Sequence, residues 1–206
     1  MPYRTTPKMD DRKQAHRRRL LAAATRMFGR HGYHATTVPM IVAESGSSTG
    51  SFYFYFRNKE DVFAAVLESI HEQISARLNS AIARQSDPFL QMGAAVEGLV
   101  FFLLEHSGEA RILIVESSGL GGRLEQVRRK IVDSHARSVE NALRSVSGRQ
   151  PLADPSIAAR CWVGAVHEAV YHWLEQPVDQ RAPAAMIAAE IARFNLRAIG
   201  APLEVL

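Results

Sequence analysis

The side chains best suited to chemistry are concentrated in residues 48–59, where hydroxyl, phenol and ammonium groups follow one another closely. Small polar side chains at the start of a helix suit the base edges of DNA, and here they are Ser48, Thr49 and Ser51. Tyr53 and Tyr55 lie about 200° apart around a helix, so each can offer a phenolic O–H to a different phosphate. Lys59 can reach a phosphate as well. These groups predict binding to a nucleic acid.

Two short helices joined by a tight turn must position these side chains. Thr37 can cap the first helix by accepting a backbone N–H of its first turn, and Gly46 can end it because glycine readily adopts the left-handed conformation. Ser48 can cap the second helix, which we expect to end near Phe56, and Asn58 can cap a third. A helix-turn-helix of this kind places its second helix in the major groove of DNA.

Residues 20–63 resemble the DNA-binding domain of the TetR family of bacterial transcriptional repressors. The positions that match the family pattern are Thr36, Thr37, Gly46, Ser48, Gly50, Tyr53, Tyr55, Phe56, Lys59 and Glu60. The resemblance assigns phosphate anchoring to Thr37, Tyr53, Tyr55 and Lys59. The sequence departs from the pattern at Ser45, where the family commonly has Ala, and at Ser47, where it commonly has Val packed under the turn. Loss of that apolar side chain is expected to weaken the turn by about 1 kcal/mol.

The same resemblance implies a function. It implies a ligand-responsive transcriptional repressor that binds a palindromic operator as a homodimer and is released by a small, largely apolar effector. Two alternatives remain open: a DNA-binding dimer that responds to a protein partner and has no small-molecule effector, and a helical carrier or enzyme that has lost DNA binding. The resemblance implies no cofactor, and it places the protein in the bacterial cytoplasm.

Charge divides the chain unevenly. Residues 1–63 hold eleven Lys and Arg against five Asp and Glu, whereas residues 64–206 hold fourteen against sixteen, so we expect only one end to touch a polyanion. We predict a flexible basic arm over residues 1–11, a helix-turn-helix domain over 12–58 and an effector-binding and dimerisation domain over 59–206. The arm is either a solvated tail or a segment that reaches along the DNA backbone or into the minor groove.

The sequence predicts no disulfide, metal site, common enzyme motif or membrane helix. Cys161 is the only cysteine, so neither an intramolecular disulfide nor a thiolate metal cluster can form. His167 and His172 lie about 140° apart around a helix and cannot easily share a metal ion. No nucleophile elbow or phosphate-binding lysine loop occurs, so we expect no enzyme. No run approaches the ~18 apolar residues of a membrane helix, so we expect no membrane partner.

Helical periodicity continues through the rest of the chain and predicts an all-α fold of about nine helices. In the resembled family, the last two long helices pair with their symmetry mates. Here those helices are predicted near residues 155–175 and 182–199, and small residues on them allow close helix approach. The candidate dimer-interface residues are Cys161, Ala165, Ala169, Ala188 and Ala192.

A small-molecule site requires a largely apolar pocket with a few convergent polar groups. Aromatic and polar residues in the apolar helices of the second domain are candidates for such a ligand-binding site. They are Phe101, Phe102, Glu116, Trp162, His167 and Trp173. His167 and its neighbour Glu168 can line a ligand cavity or can be satisfied by local partners, and the sequence favours neither alternative.

Overall fold

Nine α-helices form most of the part of the chain that the computed structural model describes, residues 7–146 and 154–202. They are α1 (Pro7–Ala35), α2 (Val38–Ser45), α3 (Thr49–Tyr55), α4 (Lys59–Ile82), α5 (Pro88–Glu105), α6 (Ser107–Arg111), α7 (Gly122–Val146), α8 (Pro155–Glu175) and α9 (Ala184–Ala198). A π-helical turn, Ile112–Glu116, follows α6, and a 3-10 turn, Val178–Gln180, precedes α9. No strand occurs in these ranges, so the predicted all-α fold is confirmed. We call α1–α3 the head and α5–α9 the body.

The helix-turn-helix is formed by α2 and α3 and is held by local caps. Thr37 Oγ1 accepts the N–H of Met40 at 3.5 Å, and Ser48 Oγ accepts the N–H of Ser51 at 3.1 Å. Gly46 takes the left-handed conformation, with φ 61° and ψ 29°, and ends α2. The predicted caps and the predicted stop are therefore confirmed.

Helix α1 begins earlier than the sequence predicts and is interrupted near its carboxyl end. It starts at Pro7, so residues 7–11 of the predicted arm are helical, while residues 1–6 lie outside the described residues. Proline is tolerated in the first turn because its missing N–H would have no helical partner there. At Gly32 the backbone leaves the helix, with φ 77° and ψ 169°, a region that glycine alone adopts readily.

Helix α4 is shared by the head and the body. Its first turns carry the buried residues Val62 and Phe63, and the Phe63 ring meets that of Phe28 on α1 edge to face, with centroids 4.8 Å apart. Farther along, Ile70 and Ile74 are buried in the core. The predicted boundary between residues 58 and 59 therefore lies at the start of a helix whose first turns complete the core of the head.

Helix α5 packs between α4 and α9 and buries Val96, Val100 and Leu103. Its contact with α9 is close at Gly93, where a Cβ would lie 3.0 Å from Leu196 Cδ1. By length and composition α5 is also apolar enough to cross a membrane, which corrects the expectation that no such run occurs. A helix in the core of a protein meets the same test, because its neighbours cover its apolar surface.

Candidate DNA-binding surface and ligand cavity

The amino ends of α2 and α3 present several of the predicted DNA contacts. Thr37, Ser48 and Thr49 are exposed, and Tyr53 extends from α3 with 55% of its surface accessible. Phe52 points the other way and is fully buried, so its packing fixes the orientation of α3. Four of the seven predicted DNA contacts are therefore accessible to a partner.

Two other predicted contacts, Ser51 and Tyr55, are turned toward α1. Ser51 Oγ lies 2.7 Å from His16 Nε2, and Ser47 Oγ lies 3.1 Å from the same nitrogen. The Tyr55 ring stacks on the His16 ring, with centroids 5.7 Å apart. The structure therefore directs Ser51 to the interior of the head rather than to a base edge, and Tyr55 is half-buried.

His16 holds α3 against α1, although the sequence pattern does not single it out. Arg19 Nη2 lies 3.1 Å from His16 Nδ1. A guanidinium only donates, so Nδ1 accepts and Nε2 carries the proton, which it can donate to the Ser51 hydroxyl. The sequence feature that could have indicated this contact is Ser47. A polar residue at a position that is commonly apolar must find a hydrogen-bond partner.

Lys59 lies at the start of α4 with its ammonium directed toward the end of α1. Nζ donates to the carbonyl oxygens of Tyr33 at 2.8 Å and His34 at 3.2 Å, and it lies 4.5 Å from the centre of the Tyr33 ring. An ammonium has a third N–H, which is the one left for a phosphate. In the structure Lys59 mainly ties α1 to α4.

A carboxylate from the body holds the same segment of the head. Glu116, the last residue of the π-helical turn, accepts the N–H of Tyr33 at 2.8 Å through Oε2, and its Oε1 lies 3.3 Å from Arg111 Nε. Gly32 permits this approach, since a Cβ there would lie 2.7 Å from Glu116 Oε2. Glu116 therefore forms a bridge between body and head.

A second bridge joins α7 to the amino end of α4. Arg123 Nη1 lies 2.8 Å from Asp61 Oδ1. The Arg123 guanidinium lowers the pKa of Asp61, partial burial opposes that shift, and Arg57 adds to the lowering. The carboxylate is therefore charged at neutral pH, and the bridge persists.

A cavity of about 340 Å³ lies in the body, between α4, α5, α7 and α8. Two predicted ligand residues, Trp162 and His167, line it. Leu113 and Ile114 of the π-helical turn also reach its wall. The volume lies near the lower end of the range for small-molecule pockets, about 300–1,000 Å³.

Four predicted ligand residues are not part of the cavity wall. Phe101 faces solvent with 45% of its surface exposed, and the buried Phe102 ring lies 4.6 Å from the Arg77 guanidinium carbon. Trp173 donates its indole N–H to a backbone carbonyl at 3.0 Å, and Glu116 forms the bridge to the head. Periodicity identified apolar helices, but it does not show which face of a helix borders an empty space.

Two histidines meet at the cavity wall. His71 Nδ1 on α4 lies 3.1 Å from His135 Nε2 on α7. Burial first and the charge of His71 second lower the pKa of His135 to about 4. At neutral pH His135 is therefore uncharged and shares a hydrogen bond with His71.

This histidine predicts acid sensitivity. In the unfolded chain His135 binds a proton near pH 6.5, whereas in the folded chain it resists protonation until about pH 4. The stability that neutral His135 contributes to the folded chain is therefore complete above pH 6.5. It is lost as the pH falls and changes no further below about pH 4. We expect His135 to lower the free energy of unfolding by about 2 kcal/mol between neutral pH and pH 4.5.

Urea denaturation of wild type and His135→Gln at the two pH values measures this contribution. On acidification, the free energy of unfolding of the variant should fall by about 2 kcal/mol less than that of wild type. Replacing the exposed His31 with Gln serves as the control and should leave the wild-type dependence in place. Equal losses in wild type and His135→Gln would contradict the assignment.

Exposed apolar side chains are concentrated on α8 and α9. Ile157 and Tyr171 on α8 are 61% and 38% exposed, and Met186 and Phe194 on α9 are 53% and 63% exposed. The predicted interface residue Cys161 is exposed on α8 as well. These residues mark the face of the protomer on which a partner would bury most apolar surface.

Some of the small residues predicted for the dimer interface lie on α8, and others lie in the interior of the protomer. Ala165 and Ala169 are half-buried on α8. Ala188 and Ala192 are 0% and 6% exposed within the protomer, on a helix that packs on α5. These two alanines pack against other residues of the same chain, so the protomer exposes little of their surface to a partner.

The sequence of the head is similar to that of a known protein family. Residues 20–66 match the family model described as bacterial regulatory proteins, tetR family. The uncharacterized HTH-type transcriptional regulator YhgD of Bacillus subtilis (strain 168) is 22% identical over 178 residues, which cover 82% of this chain and 90% of that protein. Two further regulators of the same organism match over only 51% and 49% of their own length.

Solved structures share the fold of most of the chain. FadR from Bacillus subtilis, in complex with stearoyl-CoA, has a TM-score of 0.79 at 19% identity, covering 88% of this chain and 98% of that one. AibR, in complex with isovaleryl coenzyme A and operator DNA, has a TM-score of 0.71 at 21% identity, covering 87% and 97%. The head of this chain therefore carries the sequence of the tetR family of bacterial regulatory proteins over residues 20–66, and the fold of the chain is that of FadR and AibR.

Proposed function

We propose that this protein is a transcriptional repressor that binds a palindromic operator as a homodimer and leaves it when a small molecule occupies the cavity. The observation that carries the proposal is the combination, in one chain, of an exposed helix-turn-helix and a cavity of about 340 Å³. The complexes of FadR with stearoyl-CoA and of AibR with isovaleryl coenzyme A and operator DNA support it. A regulator without an effector would be expected to fill its body with side chains, so the cavity favours the ligand-responsive function.

The DNA contacts follow from the exposed residues of the head. With α3 in the major groove, Ser48 and Thr49 meet base edges at its amino end, while Thr37 and Tyr53 bind phosphates. Ser51 and Tyr55 contribute indirectly, because they hold α3 against α1. The excess of basic residues in the amino-terminal third draws the head to the DNA backbone.

The exposed apolar face of α8 and α9 supports the homodimer. A two-fold pair brings two heads to one duplex, and each reads one half-site about 34 Å from the other. The half-sites are then related by the same two-fold symmetry, which makes the operator palindromic.

The π-helical turn connects the cavity to the head. Leu113 and Ile114 line the cavity, and Glu116, two residues farther on, binds the backbone of Tyr33. A ligand that displaces the cavity wall therefore acts on the segment that seats the head. The coupling needed is about 1–3 kcal/mol, since a modest change in the spacing of the two heads weakens binding at both half-sites.

The DNA contacts are tested by fluorescence anisotropy with a duplex that carries the promoter of the protein's own gene. We expect Tyr53→Phe to weaken binding to all duplexes by about tenfold or more, because it removes one hydrogen bond to a phosphate from each protomer. Thr49→Ala should instead change the preference among duplexes that differ at one base pair, because it removes a contact to a base edge.

Ser80→Ala is the control, because it removes an exposed side-chain O–H near the carboxyl end of α4, away from the head and from the exposed apolar face of α8 and α9. It should leave DNA affinity unchanged. Unaltered affinity of Tyr53→Phe at moderate salt would show that Tyr53 binds no phosphate. An affinity that does not change with salt would favour the carrier alternative, since phosphate contacts release counterions.

A further inference from the structure

The ionisable side chains of the cavity wall are all basic. They are His71, Arg128, His135 and His167. Among the described residues, no aspartate or glutamate lines the cavity. The other polar side chains of the wall are serines, Asn79 and Gln91, which are neutral and can donate hydrogen bonds. This composition favours a ligand that carries negative charge.

Arg128 supplies the permanent charge. Glu125 accepts two hydrogen bonds from Arg128, at 2.9 and 2.8 Å, and a third from Arg129 at 2.9 Å. One carboxylate thus faces two guanidiniums, and a net positive charge remains beside the cavity. The charge of Arg128 also reaches α8: burial first and Arg128 second lower the pKa of His167, while the exposed Glu168 raises it.

The basic residues come from three helices that meet around one space. Arg128 and His135 lie seven residues apart on α7, which places them on the same face, about 10 Å apart along the axis. His71 extends from α4 to His135, and His167 extends from α8. The wall between Arg128 and His135 includes the apolar side chain of Ile131. The cavity wall therefore carries both basic and apolar side chains.

We propose that the effector is an amphiphile with an anionic head group and an apolar chain, and that the head group binds at Arg128 and His167. This inference rests on the proposed function, in which the cavity is the effector site. A buried anion requires charge-assisted hydrogen bonds, which the guanidinium and the imidazole provide. The apolar chain lies against Leu99, Ile131 and Trp162. A cationic head group is repelled by Arg128.

Calorimetric titration of the full-length protein with four compounds of one chain length tests the head group. Decanoate and decyl phosphate carry an anionic head, decanol a neutral one and decylamine a cationic one. We expect both anions to bind about tenfold more tightly than decanol, which is the effect of one charged hydrogen bond, and decylamine to bind most weakly. Comparing the two anions identifies the head group that fits better.

Arg128→Gln and Arg129→Gln form a matched pair of variants. Both guanidiniums bind Glu125, but only Arg128 lines the cavity, and Arg129 is largely exposed. Arg128→Gln should lower the affinity for decanoate about tenfold and leave that for decanol unchanged, whereas Arg129→Gln should change neither. His167→Leu, which removes a hydrogen-bond donor from the wall, provides a second variant in case Arg128→Gln does not fold, and it should lower the affinity for decanoate but not that for decanol.

The inference is overturned if decanol binds as tightly as decanoate, if no compound of the series binds, or if the two arginine variants behave alike. Anisotropy with the promoter duplex separates this result from a failure of the proposed function. Release of DNA by decanol and decanoate at equal concentrations supports a ligand-responsive regulator and rejects the anionic head group. Tight binding of decanoate without DNA release supports the anionic site and rejects effector control.

Discussion

Replacing Phe194 with aspartate is expected to separate the proposed homodimer and to lower operator affinity by about a hundredfold or more. Phe194 is 63% exposed on α9, and α8 and α9 carry three further exposed apolar residues, Ile157, Tyr171 and Met186. A carboxylate buried in an apolar interface without a partner costs several kcal/mol. A separated protomer reads a single half-site and loses the effective concentration of the second head, which contributes about 10²–10⁴ in avidity.

Light scattering during size-exclusion chromatography measures the oligomeric state, and anisotropy with the promoter duplex measures affinity. Leu90→Asp is the matched control: it makes the same chemical change at an exposed apolar residue of α5, outside the α8 and α9 face. It should remain dimeric and keep its affinity. A dimeric Phe194→Asp variant that binds the operator with full affinity would remove this face from the interface.

Replacing Gly32 with alanine is expected to lower the free energy of unfolding by about 3 kcal/mol. Part of the loss comes from the backbone, since φ 77° and ψ 169° exclude side chains with a Cβ. The remainder comes from Glu116, whose Oε2 would lie 2.7 Å from the new methyl group and would have to leave the Tyr33 N–H. The head then loses its bridge to the body, so DNA binding and its control by ligand weaken together.

Gly46→Ala separates these two contributions. Gly46 also has a positive φ, 61°, but among the described residues no atom other than those of Gly46 and its chain neighbours lies within 4 Å of a Cβ built there, so alanine should cost only about 1–2 kcal/mol. Combining Gly32→Ala with Glu116→Ala completes a double-mutant cycle, in which removing the carboxylate should relieve part of the Gly32→Ala penalty. Urea denaturation gives each value. If Gly32→Ala costs no more than Gly46→Ala and shows no coupling to Glu116, the bridge does not stabilise the head.

The amino-acid sequence by itself determined the local features of the head. Thr37, Ser48 and Gly46 act within three or four residues along the chain, so a single sequence shows where α2 ends and α3 begins. Amphipathic periodicity likewise identifies the later helices, because it depends only on the spacing of apolar residues. The distribution of charge shows which end of the chain can approach a polyanion.

The tertiary structure alone decided which partner each helix face meets. Ser51 looked available to DNA, yet His16, thirty-five residues earlier, occupies its hydroxyl. Ala188 and Ala192 looked suited to a dimer, yet they are buried inside the protomer. Helical spacing places residues on a common face but carries no information about the surface that covers it. The cavity, the Glu116 bridge and the exposed apolar face of α8 and α9 therefore depend on contacts between residues far apart in the chain.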